Sequence, residues 1–268
     1  MFQTIGFLGC GNMGGAIARA VCKAVDPASV LLANRTPEKA ETLAAQLGCS
    51  TAANADVAAR CELIFLAVKP QMMAELLEPL RPVLAARKDR FVLCTMAAGL
   101  PIRRIQELAG GAYPTIRIMP NTPASVGEGM IQYCTCGVTA EEETAFRAAL
   151  AHAGRVDAIA ESLIDAASCV SGCGPAWVYQ FIEALADGGV ACGLPRAKAQ
   201  EYAAQMVLGS ARLVLESGQH PGALKDAVCS PGGSTIQGVR VLEEKGLRGA
   251  VLDAVVAAYD KTKEMGKG

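Results

Sequence analysis

Residues 4–14 read TIGFLGCGNMG, a short apolar run that leads directly into three glycines spaced G-x-G-x-x-G. The run predicts a buried strand at Thr4–Leu8, and apolar side chains at a four-residue spacing predict a helix over Asn12–Val25. Between a strand and a helix, such glycines permit a tight turn, close approach of a pyrophosphate and close helix packing. A purely structural turn is the alternative. The context favours a dinucleotide site with the candidate contacts Gly9, Gly11, Asn12, Met13 and Gly14.

The first half of the chain continues to alternate between strands and helices. We expect strands at Ser29–Ala33, Leu63–Val68, Phe91–Cys94, Thr115–Met119 and Met130–Cys134, and helices at Pro37–Leu47, Asn54–Arg60 and Pro70–Ala85, the last interrupted by Pro79 and Pro82. This order is typical of a doubly wound parallel sheet, and it predicts an α/β fold of Rossmann type.

Strand patterns stop near residue 160, and helical patterns replace them. The expected helices are Ser162–Val170, Pro175–Val190, Pro195–Glu216, Ala223–Val228, Ser234–Glu244 and Leu247–Glu264. We therefore predict two domains, a dinucleotide-binding domain at residues 1–159 and an all-helical domain at residues 160–268.

The composition argues against several classes of partner. Lys and Arg number 25 and Asp and Glu 26, so the chain lacks the basic excess typical of proteins that bind nucleic acid or anionic membranes. No apolar run approaches the length of about 20 residues that a membrane span needs, and no signal peptide is evident, so we expect a cytoplasmic protein. The 11 cysteines are then expected to be free thiols. With two histidines and no C-x-x-C pair, we predict no metal site.

The end of the second expected strand indicates which dinucleotide binds. NAD-binding folds commonly place an acidic residue there to hold the ribose 2′-hydroxyl. This chain has Asn34-Arg35-Thr36 instead, and the guanidinium of Arg35 would attract a 2′-phosphate while Asn34 and Thr36 add donors. The pattern favours NADPH and leaves NADH as a second cofactor. An exposed loop arginine without a ligand is the alternative.

Three further segments follow expected strands and should meet at the same edge of the sheet, where such folds bind ligands. They are Ala67–Pro70, Met96–Gly99 and Asn121–Pro123, whose small residues would let a flat nicotinamide ring lie against the main chain. Ordinary turn chemistry is the alternative for each segment, and Lys69 could be a solvated lysine. The candidate cofactor contacts in this group are Asn54, Ala67, Val68, Lys69, Pro70, Ala98, Asn121 and Thr122.

Two glycine-containing junctions precede helices in the second half, at Ser171–Ala176 and Ser230–Thr235. The second places hydroxyls beside a glycine loop at a helix N-terminus. Main-chain amides and hydroxyls of this kind can hold a small carboxylate without a cationic side chain. Two helix caps with turn glycines are the alternative.

Several motifs, in order and over nearly the whole chain, resemble those of pyrroline-5-carboxylate reductases. They are Gly9–Gly14, Ala67–Pro70, Arg117–Pro123, Ser171–Ala176, Leu185–Val190, Gly193–Arg196, His220–Asp226 and, most specifically, Ser230–Thr235. The resemblance implies NADPH-dependent hydride transfer to C5 of 1-pyrroline-5-carboxylate, which gives L-proline in the last step of proline biosynthesis. It also implies a homodimer formed by the helical domains, and dimers of some members assemble further, five to a decamer.

The resemblance also implies roles for individual residues. Gly232, Gly233, Ser234 and Thr235 would bind the substrate, and Thr235 and Ser230 are the candidate catalytic residues, with Thr235 at the ring nitrogen. Two positions depart from the usual pattern, since Cys173 stands where Ser is usual and Trp177 where Tyr or Phe is common.

Two other functions are compatible with the same two-domain plan. One is an NADP-dependent reductase of another cyclic imine or of a small hydroxyacid. Hydroxyacid enzymes use a lysine on the first long helix of the helical domain, and residues 175–193 contain none. The other is a non-catalytic NADP-binding sensor, against which the complete substrate loop argues.

Overall fold

Most strands of the eight-stranded sheet are short apolar runs, because helices cover both faces of the sheet. Every residue is buried in the four strands β1 (Ile5–Leu8), β2 (Val30–Ala33), β4 (Leu63–Leu66) and β5 (Val92–Thr95). The remaining strands are β3 (Ser50–Thr51), β6 (Thr115–Met119), β7 (Gly129–Cys136) and β8 (Gly154–Ala158). The computed structural model describes residues 2–265.

The strand order is β3-β2-β1-β4-β5-β6-β7-β8. β1 pairs in parallel with both β2 and β4. The strands β2 and β3 lie on one side of β1, and the strands from β4 onward lie on its other side. The pair β6 and β7 is antiparallel, which departs from the expected parallel arrangement. The Rossmann-like α/β class is confirmed, with two strands added at the edge beyond β6.

Helices cover the two faces of the sheet. They are α1 (Asn12–Ala24), α2 (Pro37–Leu47), α3 (Asn54–Arg60), α4 (Met73–Leu77), α5 (Arg81–Ala86), α6 (Ile102–Ala109), α7 (Ala140–Ala149) and α8 (Glu161–Ser171). Alternate residues of β1 enter different cores: Ile5 and Phe7 pack on one face with α1 and α7, and Leu8 packs on the other. The rings of Phe7 and Phe65 stack with centroids 4.5 Å apart.

The expected helix over Pro70–Ala85 is broken into four pieces. Tight 3-10 turns at Pro70–Met72 and Glu78–Leu80 flank and separate α4 and α5. Proline lacks the N–H that an α-helix interior needs, so Pro79 and Pro82 lie in the first turns of new segments, as expected. The sequence patterns did not predict α6, α7, β3 or β8. β3 has only exposed residues and β8 has no buried ones, so neither shows an apolar pattern.

Within residues 2–265, five helices follow α8: α9 (Gly174–Ala191), α10 (Arg196–Ser217), α11 (Pro221–Ala227), α12 (Ser234–Glu244) and α13 (Leu247–Met265). α9 and α10 form a hairpin, and a Cβ on Gly189 would come within 3.2 Å of the Ala199 Cβ. The prediction that the second half is helical is confirmed. Among residues 2–265, no helix has the length and apolar character that a membrane span requires.

The described residues divide into two compact units. The sheet unit contains the chain up to Cys173 and the last part of α13 from Ala258, and the helical unit runs from Gly174 to Ala257. The predicted boundary after residue 159 follows the change from strands to helices, whereas this division places α8 with the sheet. In the helical unit only Ala186, Ala199 and Ala203 are buried apolar residues.

Candidate functional site

The loop after β1 can be built only with glycine at its first position. Gly9 has φ 114°, and a Cβ there would lie 2.5 Å from the carbonyl oxygen of Ala67. The N–H of Gly9 donates to the carbonyl of Ala33 at 2.8 Å, which ties the loop to the end of β2. A side chain at this position would therefore separate β1 from its neighbours.

The other two glycines differ in what surrounds them. A Cβ on Gly14 would lie 2.4 Å from the Gly9 carbonyl oxygen, so α1 packs directly on the loop. A Cβ on Gly11 would meet nothing within 4 Å, and Gly11 is exposed as the N-cap of α1 without a side-chain acceptor. The first turn of α1 carries no acidic residue. The start of α1 thus offers open space and main-chain donors to an anion.

Asn34 joins the glycine loop to the loop that begins α2. Its Oδ1 accepts the N–H of Cys10 at 2.9 Å, and its Nδ2 donates to the carbonyl of Thr36 at 2.9 Å. The side chain of Asn34 therefore holds both loops in place, and its contribution goes beyond that of a donor to a ligand.

A cleft of about 280 Å³ lies at the carboxyl ends of β1 and β4. Eight of the predicted cofactor contacts line it: Gly9, Gly11, Asn34, Arg35, Asn54, Ala67, Val68 and Lys69. Arg35 and Lys69 are exposed, and neither side chain has an ion pair within residues 2–265. The cleft is also lined by Met72, Glu75 and Leu76, which follow Pro70 in the chain. No sequence pattern predicted these three residues. Their apolar atoms suit the flat face of a ring.

A second cleft shares Gly11 with the first and lies between α1 and α2. Two cationic side chains line it, Arg19 and Lys39, beside the carboxylate of Glu38. Arg19 donates to Oε1 of Gln46 at 2.6 Å. Lys39 lies in the first turn of α2, and no sequence pattern pointed to it.

The remaining predicted cofactor contacts lie outside the first cleft. Asn12 lines the second cleft, and Met13, Gly14, Thr36, Pro70, Ala98, Asn121 and Thr122 line neither. Asn121 is 7% exposed, and its amide is already bonded at both ends. Nδ2 donates to the carbonyl of Ser171 at 2.9 Å, and Oδ1 accepts the N–H of Met130 at 3.0 Å.

The predicted substrate residues lie together in the loop that begins α12 in the helical unit. Gly232 has φ 69°, and the N–H of Gly233 donates to the Ser230 carbonyl at 3.0 Å, which closes a tight turn. Within residues 2–265, the exposed hydroxyls of Ser230, Ser234 and Thr235 have no hydrogen-bond partner. Three free hydroxyls and the first amides of α12 form an uncharged group of donors.

Two thiols, those of Cys10 and Cys173, have raised pKa values. Burial and the neighbouring Cys49 raise the pKa of Cys10 to about 11. Burial, followed by the nearby Cys169, also raises the pKa of Cys173, where the sequence departs from the usual Ser. Within the described residues, no group of three or more His, Cys, Asp or Glu side chains is arranged to hold a metal ion.

Two protein families match separate parts of the chain. The family described as pyrroline-5-carboxylate reductase dimerisation matches residues 161–265. The family described as NADP oxidoreductase, coenzyme F420-dependent, matches residues 4–98, which include the glycine loop and β1 to β5. The first match contains the loop that begins α12, and the second contains all eight predicted residues of the first cleft.

Relatives match over the full length. The chain is 43% identical over 275 aligned positions to the pyrroline-5-carboxylate reductase of Escherichia coli, covering 100% of both chains. A structure of pyrroline carboxylate reductase from Plasmodium falciparum with NADP bound is 32% identical, covers 98% of both chains and superposes with a TM-score of 0.86. A pyrroline-5-carboxylate reductase structure from Coxiella burnetii is 31% identical, covers 99% of both chains and has a TM-score of 0.89.

Proposed function

The chain belongs to the pyrroline-5-carboxylate reductase family, and from this membership we propose how its residues divide the reaction between them. It is an NADPH-dependent oxidoreductase that reduces the C=N bond of 1-pyrroline-5-carboxylate to L-proline, the step that completes proline synthesis. The observation that carries this conclusion is the 43% identity to a curated relative over the whole of both chains.

The glycine loop and the first cleft fit a dinucleotide phosphate. The open space at Gly11 and the uncapped start of α1 would receive the pyrophosphate. Arg35, with Thr36, would hold the 2′-phosphate, since no carboxylate at the end of β2 would repel it. Asn54, Ala67–Pro70, Ala98 and the main chain of the turn at Asn121–Thr122 would surround the rest of the cofactor. When bound, NADPH supplies the hydride that reduces the imine carbon.

The loop at Ser230–Thr235 would bind the substrate. Its amides and hydroxyls can donate several hydrogen bonds to the carboxylate, and charge-assisted bonds of this kind are stronger than neutral ones. The hydroxyl of Thr235 can donate or accept, so it can hold the ring nitrogen whether or not that nitrogen is protonated. The residues of this loop then act by orienting the substrate. Orientation can lower the reaction barrier by about 7 kcal/mol or more in favourable cases.

The helical unit makes the chain a homo-oligomer, as its match to a dimerisation family indicates. Seventeen large hydrophobic side chains between Val178 and Val256 are exposed, which supports a homodimer formed through these helices. We further propose that five dimers can form a decamer, and that residues 160–268 act as the dimerisation and substrate domain. The net charge of −1 and eleven free thiols support a cytoplasmic protein with no nucleic-acid or membrane partner.

The decisive experiment measures the loss of NADPH absorbance when purified protein is mixed with 1-pyrroline-5-carboxylate, with proline quantified as the product. We expect rapid, substrate-dependent oxidation, with NADH a poorer cofactor than NADPH. Thr235→Val should reduce turnover while NADPH binding is unchanged, and Thr144→Val serves as a control, since Thr144 is an exposed residue of α7 outside the loop. No proline formation by folded protein that binds NADPH would refute the assignment.

A further inference from the structure

Most of the buried polar side chains among residues 2–265 form hydrogen bonds or ion pairs with one helix, α8. Within residues 2–265, the buried polar or charged residues are Thr95, Thr115, Arg117, Asn121 and Gln132. Three of these, Arg117 and Asn121 from the β6 segment and Gln132 from β7, contact α8. A buried polar group is costly unless it is bonded, so these three side chains define one position for α8 far more sharply than apolar contacts would.

The C-terminal end of α8 is held by two amides. Nδ2 of Asn121 donates to the Ser171 carbonyl at 2.9 Å, and Nε2 of Gln132 contacts the Ser171 hydroxyl at 2.9 Å. Oδ1 of Asn121 accepts the N–H of Met130, so the same side chain also braces β7. The main chain of Ser171 is therefore bonded to the turn after β6, and its side chain is bonded to β7.

The N-terminal half of α8 is held by a buried cation. Nη2 of Arg117, whose side chain is 3% exposed, lies 2.5 Å from Oδ1 of Asp165, and Nη1 lies 3.6 Å from Oε1 of Glu161. That glutamate oxygen also accepts the N–H of Ile102 at 2.7 Å, at the start of α6. The ion pairs thus connect β6, α6 and α8.

The same helix also binds the last part of α13. Nζ of Lys263 lies 3.7 Å from Oδ2 of Asp165, and Oγ1 of Thr262 lies 3.8 Å from Sγ of Cys169. The chain passes between the sheet unit and the helical unit twice, after Cys173 and again within α13 before Ala258. Both passages are therefore anchored to α8 on the side of the sheet unit.

We propose that α8 holds both connections to the helical unit in position, and that Asn121 is a positioning residue that acts through Ser171. This inference rests on the proposed function, because the helical unit carries the substrate loop. Asn121 follows β6 in the expected cofactor rim, but its bonds to Ser171 and Met130 leave its side chain only one N–H and one lone pair of Oδ1 for other partners. Losing its bond to Ser171 should disturb the substrate step and spare cofactor binding.

Two variants and a control test this assignment. Asn121→Asp keeps the size of the side chain and the acceptor for the Met130 N–H, but it removes the donor to the Ser171 carbonyl. Gln132→Met removes the second bond to Ser171 from a residue on β7 that lies outside both clefts. The control, Thr115→Val, removes one buried bond, from Oγ1 to the Tyr113 carbonyl at 2.8 Å, on β6 itself without touching α8.

Three readouts are measured for each full-length variant: the NADPH Kd by fluorescence titration, kcat/KM for 1-pyrroline-5-carboxylate, and hydrogen exchange of the amides at 166–174. For both test variants we expect a Kd within about twofold of wild type. We expect kcat/KM to fall about tenfold or more, because a misplacement of 1 Å can cost about a hundredfold. Exchange at 166–174 should accelerate, whereas Thr115→Val should match wild type in all three readouts.

The opposite results would overturn the proposal. A rise in the NADPH Kd of Asn121→Asp that equals the fall in kcat/KM, with Gln132→Met unchanged, would make Asn121 a cofactor contact. Wild-type kinetics in both variants, or an equal loss in Thr115→Val, would remove any specific role for α8. If the wild-type protein reduces no pyrroline-5-carboxylate, the proposed function fails by itself, and NADPH affinity and hydrogen exchange still report on α8.

Discussion

The sheet unit and the helical unit bury their apolar side chains to very different extents. In the sheet unit, residues such as Ile5, Phe65 and Phe146 are fully buried within a single chain. In the helical unit three alanines are buried, and side chains as large as Tyr202 and Leu215 are 55% and 73% exposed. Helices without a core of their own must find apolar contacts elsewhere, and the match to a dimerisation family indicates that a second copy of the chain supplies them.

The largest effect expected from this difference is a dependence of stability on protein concentration. A thousandfold dilution should lower the apparent unfolding free energy by about 4 kcal/mol, because dissociation of the oligomer is linked to unfolding. Trp177 is the single tryptophan and lies in α9, so its fluorescence reports on the helical unit. A midpoint of the Trp177 transition that does not move with concentration would contradict the partner requirement.

A substitution of Gly9 should destabilise the sheet unit without involving a second copy of the chain. Gly9→Ala places a Cβ 2.5 Å from the Ala67 carbonyl at φ 114°, and we expect it to lower the unfolding free energy by about 3 kcal/mol and to abolish NADPH binding. Gly11→Ala is the matched control, since its Cβ meets nothing within 4 Å. That variant should lose at most about 1 kcal/mol of stability, measured by denaturant titration, because alanine is a poorer N-cap than glycine, and it should weaken NADPH binding. Equal destabilisation by both changes would contradict the steric argument.

A substitution of Arg35, which lines the first cleft, should reduce the preference for NADPH over NADH without changing the stability of either unit. Arg35→Met should raise the NADPH Kd by about tenfold to a hundredfold, since a hydrogen bond to a charged group contributes about 1.5–3 kcal/mol. The NADH Kd should stay near wild type, because NADH lacks the 2′-phosphate. Lys23→Met, in the last turn of α1, is a control for the loss of a surface cation. A parallel rise in both Kd values for Arg35→Met would assign Arg35 to another part of the cofactor.

The smallest effect concerns acid stability at the end of the sheet unit away from the clefts. Pairing with Arg90 lowers the pKa of Glu142, whose side chain is 15% exposed and also completes the cap of α7. A depressed pKa stabilises the fold above the usual glutamate value of 4.5, and this contribution is lost as the pH falls through the folded pKa. Glu142→Gln should therefore flatten the pH dependence of stability below 4.5 while it preserves the cap. An unchanged pH profile would show that the pair contributes nothing.

The accuracy of the sequence predictions follows from how local each signal is. α2, α3, β6 and α12 have the predicted bounds, because prolines, glycines and apolar runs mark their ends. β8 was not predicted because it has no buried residue and therefore no apolar pattern. It pairs with β7, and pairing between separate segments of the chain leaves no local sequence pattern. The domain boundary after residue 159 and the roles of the site residues stay predictions.

The sequence by itself determined the glycine turn, the alternation of strands and helices, and eight of the residues that line the first cleft. These features depend on backbone conformation and periodicity within a few residues, which side-chain type controls directly. Only the tertiary structure decided what the amide of Asn121 does, because its partner Ser171 lies 50 residues away along the chain. It also decided that α8 receives both Arg117 and the end of α13, since hydrogen bonds and ion pairs across a fold depend on packing that no local pattern encodes.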